Sequence, residues 1–281
     1  MENNKISIKS SLNDINEHSG IIILMDAAGT KSKDIKQCII FLDKFKKNID
    51  LAKKIAESNS DNENYLKIRD FSYIFFQDTI IFSFVFNSPE DILSSLYEIH
   101  GIISSFFVFN LIDNIPLRGV MSIGNFIQLN NYSILGEAIN EAMEYHEKFD
   151  MYGIILHENC NFLLDPLNNP DISFERVIYP HSDVIFKDLF LKYKIPLKDS
   201  CGTEKKKIDF LYTLNWIFGL LIALPSDERN YSKIVGNYGY ELIERLDKNN
   251  NTLNKINNTI AYLDKYFTKY PEIRDLIHPD L

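Results

Sequence analysis

Two carboxylates separated by half a hundred residues carry the chemistry that this sequence offers. The first, Asp26, ends an apolar run, IIILM, and is followed by the short Ala27-Ala28-Gly29-Thr30-Lys31 turn and then a helical pattern. Such a run bounded by a glycine turn reads as a buried strand. A carboxylate at a strand's exit, next to free N–H groups, suits a hard cation and a phosphate chain side by side. The second, Asp78, sits in FFQDTIIFSF between two apolar runs and so at the tip of a hairpin. Acidic groups at neighbouring strand ends can share two divalent ions about 3.5–4 Å apart. Nucleoside triphosphates bring such ions with them.

The elements that must place these groups follow from the patterning. Residues 20–26 read as a strand and 32–58 as a helix. Residues 66–76 and 79–87 form a hairpin, and 89–110 a helix with Pro89 at its first position. Residues 117–128 are a strand with a short partner at 132–134, 136–148 a helix, and 152–157 a further strand. That order fits an α+β fold with a ferredoxin-like βαββαβ core and an extra hairpin. Segments 184–193 and 195–198 are candidates for edge strands, with a short helix as the alternative for the first. The most apolar stretch, 210–225, is shorter than the about 20 residues of a membrane span and reads as a buried helix. Residues 239–270 are helical, interrupted at 249–251.

Bulk properties narrow the function classes. The 281 residues are 45% hydrophobic and 25% charged, which describes a globular protein with a sizeable core. A net charge of -9 argues against general nucleic-acid binding but not against a triphosphate, which needs only a few local cations. Cys38, Cys160 and Cys201 are widely spaced, so neither a disulfide framework nor a zinc motif is expected. The N-terminus lacks the apolar core of a signal peptide. A cytoplasmic protein, away from membranes, is the expectation. His100, His146 and His157 match no ligand spacing and read as core or surface residues.

Over residues 18–204 the chain resembles the class III nucleotide cyclases, and within them the bacterial pyrimidine cyclases of the Pycsar antiphage system. The pieces that carry the resemblance are IIILMDAAGTKSK, FFQDTIIFSF, PLRGVMSIGNF, LGEAINEAMEYHEKFDMYGIIL, and YKIPLKD followed by LNW. The resemblance implies a catalytic domain at 18–204; residues 205–281 lie outside it and read from their patterning as a mostly helical C-terminal extension packed on the core. It implies that Asp26, Asp78 and the carbonyl of Ala27 hold two Mg²⁺ or Mn²⁺ ions, and that the N–H groups of residues 27–31 cradle the triphosphate. The implied reaction is attack of the ribose 3′-oxygen on the α-phosphorus with loss of pyrophosphate.

Departures from the family pattern bear on the substrate. Purine-specific members read the base with a lysine four residues before the second metal aspartate and an acidic residue three before the helix glycine; here Ile74 and Ser133 stand there. UTP or CTP is therefore expected, with Tyr73, Phe75 and Tyr145 as candidate pocket walls. Asn140 matches the residue that orients the ribose. Glu144 stands where the family has an arginine, so the positive charge is expected from Arg118, and Lys198 matches a phosphate-binding lysine. Arg118 reads equally as a structural ion pair with Glu141 or Glu144. The resemblance implies a homodimer in which one protomer supplies Asp26 and Asp78 and the other Asn140 and the base pocket. A degenerate nucleotide-binding relative and a cyclase acting on ATP or GTP are the alternatives.

Overall fold

The computed structural model describes residues 15–28, 34–59, 71–86, 89–129, 133–161, 177–178, 185–186, 189–198, 210–217, 219–220, 231–249 and 252–270. Strand β1 (Ile15–Ala27) is followed by helix α1 (Ile35–Asn59), then the hairpin β2 (Phe71–Phe76) and β3 (Thr79–Phe86), and helix α2 (Pro89–Ile112). Next come β4 (Leu117–Leu129), its short partner β5 (Ser133–Gly136), helix α3 (Glu137–His146) and β6 (Gly153–Leu156). The small hairpin β7 (Val177–Ile178) and β8 (Ile185–Phe186) precedes β9 (Phe190–Lys194), β10 (Phe210–Leu214), α4 (Tyr231–Glu244) and α5 (Leu253–Lys269).

The main sheet has the order β2-β3-β1-β4-β6-β10-β9, with β5 on β4. Its first four strands are antiparallel throughout. The order β2-β3-β1-β4 is that of a ferredoxin-like βαββαβ unit, as the patterning led one to expect. β6 then runs parallel to β4, with Arg118 opposite Gly153. β10 and β9 complete the sheet by antiparallel pairing.

α1 begins where its sequence can satisfy the free N–H groups of a helix end. Gln37 N–H donates to Asp34 Oδ1 at 2.9 Å, and Asp34 N–H donates to Gln37 Oε1 at 3.1 Å, a reciprocal cap. α1 and α2 cover one face of the sheet, where Phe45, Phe75, Phe82 and Phe106 interlock ring against ring. α2 is apolar nearly all round because it is covered twice, by that sheet face and by the segment after β10. Phe107 meets Trp216 at a ring distance of 5.0 Å. A β-carbon on Gly219 would lie 2.3 Å from Ser104 O, so the chain there passes directly against α2.

The stretch 210–225 differs from expectation. Its described part opens with β10, paired residue by residue with β9, and not with a helix. Phe210–Leu214 is a short aromatic and β-branched run, which an apolar count alone does not separate from a buried helix. Segment 184–193 does supply strands, β8 and β9.

α2 also buries His100, whose Nε2 lies 3.0 Å from Asn215 O. Burial pushes its pKa from the ordinary 6.5 down to about 3. Below pH 6.5 the unfolded chain therefore takes up a proton that the folded protein refuses. Stability is full above that pH and falls on acidification, by roughly tenfold in the folding equilibrium per pH unit. Urea midpoints measured across this range should drop with pH in the wild type, and His100→Gln should flatten the slope. An unchanged slope in the variant would show that other groups set the acid limit.

Candidate active site

The sheet brings Asp26 and Asp78 together. Asp26 is the penultimate residue of β1, opposite Thr79 of β3 on one side and Arg118 of β4 on the other. Asp78 is the second residue of the two-residue turn between β2 and β3. Gln77 before it adopts a left-handed φ of 55°, the backbone sign such hairpin turns demand at their first central position. That conformation costs a non-glycine residue roughly 1–2 kcal/mol. A hydrogen bond from Ala27 N–H to Asp78 O, at 2.9 Å, fastens the hairpin tip to the strand exit.

Successive strand residues face opposite sides, which sorts the candidates. Tyr73 pairs with Phe82, and Phe82 with Ile23, three residues from Asp26. Tyr73 and Phe75 therefore lie on the face under α1, away from Asp26. Tyr73 packs against Phe75 and Phe82, with the Lys53 ammonium over its ring. This corrects the expectation of Tyr73 and Phe75 as pocket walls: their aromatic surface is used by the core. Tyr145 is buried too, its ring 4.3 Å from that of His157.

On the other face the Asp26 carboxylate meets a group of charges. Arg118 donates to Asp26 Oδ2 from Nε at 3.3 Å and from Nη2 at 3.2 Å. Arg118 Nη2 also lies 3.6 Å from Glu147 Oε1, and Lys198 Nζ lies 3.3 Å from Glu147 Oε2. His146 Nε2 is 3.7 Å from Asp26 Oδ2. Burial raises the pKa of Asp26; Arg118 opposes the rise, and the charges of Asp78 and Glu147 add to it. Burial holds His146 down at about 4, helped by Arg118 and Lys198, so it is a neutral imidazole near neutral pH.

Arg118 thus pairs with Asp26 and Glu147, not with Glu141 or Glu144. Glu144 binds Lys148, four residues on and just past the end of α3, at 2.7 Å. Glu141 accepts from Ser122 and Asn159, tying α3 to β4 and to the 3₁₀ turn Glu158–Cys160. Lys198 reaches the group because residues 196–198 dock on 148–150: Asp150 N–H donates to Pro196 O, and Lys198 N–H to Lys148 O.

The expected phosphate cradle at residues 27–31 is only partly available. Ala27 N–H is taken by Asp78 O, and Ala28 N–H by Pro116 O at 3.0 Å. Gly29, Thr30 and Lys31 lie outside the described residues. Asn140 is exposed on the outer face of α3, alongside Met143 and Glu144. Ser133 is exposed on β5, paired with Leu129 at the end of β4 remote from Arg118.

Among the described residues no group of three or more His, Cys, Asp or Glu side chains forms a ready metal cage. The donor set at the strand exit still suits a hard divalent ion. Two carboxylates supply charged oxygens, and Mg²⁺-type ions take their remaining ligands from water and phosphate. A guanidinium sits on Asp26, so this carboxylate already has a cation as its partner.

His146 and Glu147 do not stand out by their residue types. For His146 the signal is helical spacing, since Ala138, Ala142 and Tyr145 form the buried stripe of α3 and His146 closes it; for Glu147, just past the helix and exposed, the sequence holds no such signal.

No protein-family model matches the chain, and no curated protein sequence does. Solved structures similar to it are nucleotide cyclases. One is the catalytic core of a rhodopsin-guanylyl cyclase with converted specificity in complex with ATPαS, at 13% identity, covering 71% of this chain and 96% of that one, TM-score 0.41. Another is the monomeric guanylyl cyclase domain of the RhoGC fusion protein from the aquatic fungus Blastocladiella emersonii, at 11% identity, covering 72% and 98%, TM-score 0.43. A third is the adenylyl cyclase CyaB from P. aeruginosa, at 12% identity, covering 71% and 95%, TM-score 0.36. No described helix is long and apolar enough to cross a membrane.

Proposed function

We propose that the chain is a nucleotide cyclase of the class III type that converts UTP or CTP to the 3′,5′-cyclic monophosphate and pyrophosphate, as a messenger in Pycsar-type antiphage defence. The observation that carries the reading is the meeting of Asp26 and Asp78 at one strand exit under a buried arginine. Two divalent ions held by Asp26, Asp78 and the Ala27 carbonyl would acidify the 3′-hydroxyl and neutralise the leaving pyrophosphate. Arg118 supplies the positive charge that Glu144 cannot, since it is fixed at the site while Glu144 turns to Lys148. Lys198 adds a second cation at the same edge. Positioning and fixed charge then provide most of the rate. Ile74 and Ser133 support a pyrimidine, because neither offers the lysine or carboxylate that reads a purine edge.

The exposed Asn140 fits a site completed by a second copy of the chain. Leu135 and Ile127, opposite each other across β5 and β4, are exposed, as is Met143 beside Asn140 on α3. These exposed apolar side chains on β4, β5 and α3 are ones that a symmetric partner would cover. One observation favours a second reading, a nucleotide-binding protein without turnover: Glu144 in the place of an arginine. Incubation with each of the four ribonucleoside triphosphates and Mn²⁺, with product identification, separates the readings. Cyclic UMP or cyclic CMP is the expected product; a purine product would revise the base assignment, and no pyrophosphate from any triphosphate would leave the binding reading.

A further inference from the structure

Glu147 sits one residue beyond α3 and divides its carboxylate between two cations from distant parts of the chain. Oε1 faces Arg118 of β4 at 3.6 Å, and Oε2 faces Lys198 at 3.3 Å. These are the two cations that the cyclase reading gives to the triphosphate, and the role assigned to Glu147 rests on that reading. We propose that the Glu147 carboxylate is an internal stand-in for a polyphosphate oxyanion, holding Arg118 and Lys198 until the substrate's phosphates displace it.

Three features distinguish such a stand-in from a fixed ion pair. The Glu147 side chain is 73% exposed whereas that of Arg118 is 11% exposed, so the carboxylate can swing into water while the guanidinium stays. Arg118 donates with good geometry only to Asp26; its approach to Glu147 is longer than a hydrogen bond, as befits a partner that is easily replaced. Asp26, Asp78 and Glu147 together make a strongly acidic edge, and a polyanion cannot settle on Arg118 and Lys198 while Glu147 remains between them. Burial pushes the Glu147 carboxyl up, but Arg118 and Lys198 together outweigh it and bring it below the ordinary range. The carboxylate is therefore ionised whenever substrate arrives. Its effect is to raise the threshold for phosphate binding and to keep two cations ordered in its absence.

The test is calorimetric titration of the full chain with inorganic tripolyphosphate, without divalent metal, in wild type, Glu147→Gln, Lys198→Gln and the double variant. Glu147→Gln should bind about fivefold tighter, the scale of one exposed charge pair released. Lys198→Gln should bind more weakly, and the gain from Glu147→Gln should shrink in its presence. Equal or weaker binding by Glu147→Gln, or wild-type protein that binds no tripolyphosphate, overturns the proposal. Product formation from the four triphosphates is read separately: cyclic product alongside either of those results leaves the cyclase reading standing, and its absence removes both.

Discussion

Asp26→Ala and Asp78→Ala, made singly, are each expected to abolish metal-dependent cyclic nucleotide formation, by at least about a thousandfold. The reason is geometric. One carboxylate ends β1 and the other tips the β2–β3 hairpin, and among the described residues no group of three or more His, Cys, Asp or Glu side chains could hold the ions in their place. Neither loss should unfold the protein. Burial, with Asp78 and Glu147 nearby, raises the pKa of Asp26 despite Arg118. The folded state therefore holds the Asp26 proton more tightly than the unfolded chain does, and ionised Asp26 penalises the fold at neutral pH. Asp26→Asn removes that penalty, so its melting temperature at neutral pH should equal or exceed that of the wild type. The difference should close as the pH falls through the raised pKa. An inactive variant that melts as high as wild type assigns the carboxylate to the site; full activity in either alanine variant removes the metal pair.

Mixing two inactive proteins should restore activity. Asp26→Ala spoils the half-site at the strand exit, and Asn140→Ala spoils the exposed face of α3. If each site draws on both halves from different copies, random reassortment leaves half of the dimers mixed, each with one intact site of two. Recovery should then reach about a quarter of the wild-type rate. Mixed protein that stays inactive while both variants remain dimeric would place the two residues in the same protomer's site. An active Asn140→Ala would remove the residue from the chemistry.

Much of this arrangement is legible from the residue order. The apolar run into Asp26 and the Gln77-Asp78 tip fix two strand ends, and a βαββαβ order makes β1 and β3 neighbours, so the adjacency of Asp26 and Asp78 follows from topology. The partners of Arg118 were not legible. They depend on how α3 lies across β4, which brings Glu147 to the arginine and points Glu144 at Lys148. A count of charges along the helix holds no such angle. Tyr73 misleads for a related reason: an aromatic on a strand serves either face, and only the register with Phe82 assigns it to the core. β10 was hidden because the partner that makes it a strand, β9, is itself a short run of five residues.

The placement of α5 bears on the site from behind. Thr259 accepts the Tyr152 N–H at 2.9 Å, Asn258 donates to Asp150 O at 2.6 Å, and Lys255 lies 3.5 Å from Asp150 Oδ1. The next residue, Gly153, is the sheet neighbour of Arg118. Residues 150–152 are thus a keystone, wedged between the strap that bears Lys198 and a helix more than a hundred positions downstream. Loosening that helix slackens the backbone beneath both cations at once.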